Sequence, residues 1–167
     1  MPLTPFHLAA GLPAKKYINI WAFIWANILI DLEPGLIMFF GMDSMGYPLH
    51  QGMHTFGGAT LAIAVTLTLS SDWCFKKKIR PWIYGAVLGG YSHILLDALV
   101  HSDVEPFAPI MKGNPLYMDL HAEVTLVCGA VLTYYLAKWV ISLRVGEVGS
   151  RFIQRIRGKF FSRTLGK

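Results

Sequence analysis

Charge is what this sequence has least of. Charged residues make up 15% of its 167 positions, where a soluble domain carries about a quarter. The deficit is made up by apolar residues, which reach 54% and come in runs long enough to be membrane spans. Cysteine is scarce too. Cys74 stands beside a lysine run and Cys128 inside an apolar run, with no CxxC pair, so a disulfide framework is not expected. The first twelve residues lack a basic n-region, and Lys15 and Lys16 follow their apolar part. This is not the pattern of a signal peptide, so insertion is expected to rely on the spans themselves. The common catalytic signatures GxSxG, Walker A and HExxH are missing, as are nucleic-acid motifs. Ser92 adjoins His93, but adjacent residues do not face each other on a helix, which argues against a Ser/His nucleophile pair. The net charge of +5 therefore reads as topology, with no nucleic-acid partner.

What is present is a set of four apolar stretches: Tyr17 to about Met42, Thr55 to Ser71, Trp82 to Val100 and Val124 to Leu143. A crossing helix needs about 20 residues; the last two stretches meet that and the second nearly does. In the first stretch, Asp31, Glu33 and Pro34 interrupt the apolar run after Ile30. Proline cannot extend the hydrogen-bond ladder, so a broken first helix is expected. Lys15 and Lys16, the run Lys76, Lys77, Lys78 and Arg80, and seven basic residues after Leu143 alternate with connections that hold only Lys112. The positive-inside rule then places both termini in the cytoplasm. The expectation is an all-α, multi-pass membrane bundle of about four transmembrane helices, with a short re-entrant or interfacial helix at its N-terminus. Residues 1–143 would form a single transmembrane domain. Residues 144–167 would form a basic cytoplasmic tail, either an amphipathic helix on anionic lipid or a frayed topology signal.

Ionisable residues inside spans are costly and usually functional. His93, Asp97 and His101 recur every four residues and so line one helix face. His50 and His54 enter the second stretch, and Asp31 and Glu33 end the apolar part of the first. At the helical rise, Asp31 lies about 22 Å from the cytoplasmic side, His93 about 18 Å, Asp97 about 24 Å and His54 about 27 Å. Three helices thus bring imidazole and carboxylate to similar depth in the outer half of the bilayer. A short helix dipping into the membrane would add His7. Imidazole and carboxylate are first-choice ligands for zinc and related divalent ions. No Lys or Arg lies at that depth in the sequence to offset the carboxylates, so a metal is the expected cation. His101, at the end of its span, is an open case as a ligand, and His121 and Glu123 are read as ordinary span-end polar residues.

The pieces TPFHLAAGL, DLEP, LHQGMHTFGGA, GGYSHILLDALVH, VEPFAP and GNPL follow in this order between residues 4 and 118. Together they resemble the membrane-bound metal-dependent hydrolase family, which includes a LexA-binding inner-membrane protein. The resemblance implies that His7, Asp31, the His50/His54 pair, His93 and Asp97 bind metal. The H-x3-D step of His93 and Asp97 is also similar to one in zinc-dependent phospholipase C and related nucleases. That implies phosphoester hydrolysis at a multi-zinc site in a prokaryotic inner membrane. Many family members read H-R-G-x-T-H-S; this chain reads His50-Gln51-Gly52-Met53-His54-Thr55, with the arginine replaced and the second histidine displaced by one position.

Three functions compete. The first is a hydrolase acting on a lipid or lipid-linked phosphoester. It would use zinc, or alternatively manganese, with Asp31, Asp97 and Glu33 as the catalytic carboxylates and membrane lipids as surroundings. The second is a metal or proton transporter, which the apolar cytoplasmic halves of the spans disfavour. The third is a non-catalytic subunit whose metal is structural.

Overall fold

A computed structural model describes residues 4–50, 52–70 and 79–164, the last 21 of these as backbone only. Among the described residues the chain is all-helical: α1 (Thr4–Gly11), α2 (Ile20–Phe39), α3 (Phe56–Leu69), α4 (Ile79–Val100) and α5 (His121–Thr164). Two 3-10 turns, Asp43–Met45 and Gly52–His54, lie between α2 and α3. Three segments are long and apolar enough to cross a membrane: Ile20–Phe39, Ile79–Val100 and His121–Leu143. The second apolar stretch forms the 14-residue α3, about 21 Å long at the helical rise and shorter than the usual crossing length.

The first span is a correction to the broken-helix expectation. α2 runs through Pro34 without interruption. Proline deletes one backbone donor, but opening the helix would leave several more peptide groups unpaired in an apolar setting. Keeping the rest of the ladder is therefore the cheaper solution. The helix α5 continues across residues 143 and 144. Arg144 is a good helix former, so a change from apolar to basic composition does not stop the helix. Residues Met1–Val131 form one compact unit and Leu132–Lys167 a second. Lys76, Lys77 and Lys78, and the side chains after Leu143, lie outside the described residues.

Small residues set how closely α4 meets its neighbours. A Cβ at Gly85 would strike the Asn19 carbonyl oxygen, and one at Gly89 would lie 2.5 Å from that of Phe23. Both positions hold α4 against α2 at a distance only glycine allows. Asn19 caps α2, its side chain accepting from the Trp21 and Ala22 amides at 2.9 and 3.1 Å, while its own amide donates to Pro81 at 2.7 Å. Ala22, Ile63, Trp82 and Ala86 form one apolar cluster; Ile30, Ala59, Ala62 and Ile94 form another. Trp21, Trp25, Leu32 and Leu36 of α2 point outward, the arrangement that a membrane-crossing helix would need.

Candidate metal centre

The site is assembled from four local devices. On α4, His93 and Asp97 are one turn apart and both buried. On α2, Asp31 lies one turn beyond Asn27. Before α3, the Gly52–His54 turn delivers His54. Thr55 holds that turn: its hydroxyl donates to the Gly52 carbonyl and accepts from the Gly58 amide, both at 2.8 Å. A Cβ at Gly58 would strike the backbone of Gly52 and Met53, so only glycine lets the turn fold back on the helix. Finally, α1 brings His7 into contact with His93, their rings stacked with centroids 4.0 Å apart.

Distances within the cluster are short. His93 Nε2 lies 3.2 Å from both Asp31 Oδ1 and Asp97 Oδ2. His54 Nε2 is 3.4 Å from Asp97 Oδ2 and 3.9 Å from Asp31 Oδ1. His7 Nε2 is 3.3 Å from Asp97 Oδ1. The two oxygens of Asp97 thus face different histidines, Oδ1 toward His7 and Oδ2 toward His54 and His93. Three overlapping groups have ligand atoms that all lie within 4.8 Å of one another: His7/His93/Asp97, Asp31/His54/His93 and His50/His54/Asp97.

These residues fit a divalent ion on two counts. Buried His7 Nδ1, His54 Nδ1 and His93 Nε2 have no hydrogen-bond partner, although buried polar atoms are nearly always paired. His93 Nε2 is the telling one, because it faces two carboxylate oxygens. Two ligand atoms each about 2.0–2.1 Å from one tetrahedral ion lie about 3.4 Å apart, close to the 3.2–3.4 Å contacts of His93, His54 and His7 with Asp97. A buried His/Asp group of this kind can hold a metal ion.

Not every anticipated residue joins it. Glu33 is absent from all three groups; its Oε2 accepts the Met53 amide at 2.8 Å. That contact ties α2 to the turn that presents His54. His101 also stays outside the groups. It stacks on His50 at 4.8 Å, and its Nε2 is buried without a hydrogen-bond partner. Burial pushes the His101 imidazole below its ordinary range despite the opposing charge of Asp97. His121 meets His101 edge-on at 6.2 Å.

Two residues were not singled out in the sequence. Asn27, fully buried, places Oδ1 3.0 Å from His93 Nδ1. Its spacing to Asp31 on α2 repeats that of His93 to Asp97 on α4, which is the signal that marks it. Asp103 accepts a hydrogen bond from His50 Nδ1 at 2.8 Å, leaving Nε2 as the nitrogen of His50 that offers a lone pair. Burial alone would raise the Asp103 carboxyl, but the hydrogen bond and charge of His50 outweigh it and hold the group below its usual range. The loop around Asp103 is itself fastened, since Asn114 Nδ2 donates to the carbonyls of Ala98 and His101, both at 2.7 Å, covering orphan groups at the end of α4.

Compared with known proteins, the chain matches no family model, no curated protein and no solved structure.

Proposed function

We propose that this chain is a membrane-embedded, metal-dependent hydrolase that cleaves a phosphoester of a lipid or lipid-linked substrate. One observation carries the reading: three imidazole–carboxylate groups that overlap pairwise through His93, His54 and Asp97. The ordered motifs that resemble membrane-bound metal-dependent hydrolases support the same chemistry. Zinc is the preferred ion for a nitrogen- and oxygen-rich set, with manganese second. Bound there, such ions supply Lewis acidity toward a phosphoryl oxygen and make water a competent nucleophile at neutral pH.

The chain's own residues divide the remaining work. His7, His54, His93 and Asp97 would hold the ions. Asp31, with 27% of its side chain exposed against 5% for Asp97, is the carboxylate with room to accept a proton from an attacking water. Asp103, with 59% of its side chain exposed, and the largely buried His50 bonded to it form the rim on the side where a headgroup would enter. The compartment belonging to this reading is a prokaryotic inner membrane in which α3 serves as a fourth, shorter passage, so that both termini are cytoplasmic and the site lies toward the outer leaflet, as the distribution of lysine and arginine implies.

The test is turnover of a lipid phosphoester by detergent-purified protein loaded with zinc or manganese. Wild-type protein is expected to cleave it, and the His93→Ala, Asp97→Ala double variant to fall to background. Equal activity in both proteins would overturn the mechanism.

A further inference from the structure

We infer that Asn27 is a positioning residue that fixes the tautomer of His93 and thereby turns its Nε2 lone pair into the ligand set. The inference rests on the metal-site reading above and adds a residue to it.

The orientation of the Asn27 amide is settled by its surroundings. One end of the amide lies 2.8 Å from the Phe23 carbonyl oxygen in a buried setting. A carbonyl only accepts, so the amide nitrogen must occupy that end. The amide oxygen is then the atom that lies 3.0 Å from His93 Nδ1. That oxygen in turn only accepts, so Nδ1 carries the hydrogen. In an uncharged imidazole the other nitrogen, Nε2, then has the lone pair. Nε2 is the atom that lies 3.2 Å from both Asp31 Oδ1 and Asp97 Oδ2 and has no hydrogen-bond partner. The chain Phe23 carbonyl, Asn27 amide, His93 ring thus runs in one direction and ends on a lone pair among carboxylate oxygens.

The fold keeps this chain short. Gly89, one turn before His93, lets α4 lie against Phe23 and Asn27; a Cβ there would be 2.5 Å from the Phe23 oxygen and 3.1 Å from Asn27 Nδ2. Partners of this kind orient metal-binding imidazoles, and their loss weakens metal affinity by about 10–100-fold. Asparagine also orients the ring without adding a negative charge behind it, as aspartate would.

Two measurements test the inference. The first is the tautomer of His93 in full-length, metal-free wild-type protein, read from nitrogen-15 shifts of labelled histidine with His93→Gln to assign the signal. A hydrogen on Nδ1 is expected, with or without a second on Nε2 where the carboxylates face it; a hydrogen on Nε2 with a bare Nδ1 overturns the inference. The second is Co2+ affinity followed by its visible absorption. Asn27→Leu is expected to weaken binding about 10–100-fold. Asn27→Asp, which keeps the acceptor for His93 Nδ1–H, is expected to stay within a few-fold of wild type. A purely structural role predicts the reverse order, because aspartate loses the donor to Phe23 and buries a carboxylate; that order overturns the inference. If the aspartate variant does not fold, the wild-type tautomer decides. Wild-type protein that takes up no Co2+ overturns the metal reading itself, an outcome distinct from a reversed tautomer.

Discussion

At the scale of single residues, Glu33 and Asp31 show that two carboxylates of similar depth can have different work. Both stand near the end of the apolar run in α2. Asp31 lies 3.2 Å from His93 Nε2, whereas Glu33 accepts the Met53 amide. Glutamine retains an acceptor oxygen but not basicity. Glu33→Gln is therefore expected to keep phosphoesterase activity within a few-fold, measured as initial rate at saturating metal. A loss of about a hundredfold or more would instead make Glu33 the general base. The histidines and aspartates of the cluster could be picked out in the sequence because imidazole and carboxylate are conspicuous in apolar spans and helical rise gives their depth. Asn27 and Asp103 could not be ranked that way. Their role depends on which atom of a neighbour they meet, and that is fixed by packing between α2 and α4 and by the loop after α4, which a linear pattern does not encode.

At the scale of elements, the close approach of α4 to α2 decides whether the site exists. Gly89→Ala would force the Phe23 backbone away from α4 and is expected to cost about 1–3 kcal/mol in stability, as overpacking does, and to weaken metal binding because Asn27, which orients His93, moves with α2. Gly129→Ala, whose added Cβ would meet nothing within 4 Å, is the matched control. Thermal unfolding with and without Zn2+ reads both effects: the zinc-dependent rise in melting temperature is expected to shrink in Gly89→Ala and to persist in Gly129→Ala. An equal zinc effect in the two variants would show that the interface does not shape the site. The helical periodicity of His93 and Asp97 made this face of α4 readable in advance. The course of α2 was not readable, since proline's local preference pointed to a break and the requirement for paired peptide groups prevailed. The second apolar stretch, Thr55 to Ser71, was readable as a helix, and its ends lie at Thr55 and Ser70, which cap α3.

At the scale of the whole molecule, three segments are long and apolar enough to cross a membrane, and the clusters of lysine and arginine lie in alternate flanks and connections. In a background of Cys74→Ser and Cys128→Ala, a cysteine at Ser102 is expected to react with an impermeant maleimide added to intact cells. A cysteine at Lys167 is expected to react only after permeabilisation. The opposite pattern would put the cluster in the cytoplasmic half and end the outer-leaflet substrate proposal. The all-helical architecture was legible because runs of apolar residues leave few alternatives in lipid. The central claim remains the metal centre around His93 and Asp97, and elemental analysis of protein purified in detergent without chelator tests it most directly. At least one equivalent of zinc or manganese per chain is expected in the wild type, with loss of that metal in Asp97→Ala. Folded wild-type protein that is metal-free as purified, and that retains no metal after incubation with Zn2+ or Mn2+ and desalting, would contradict it.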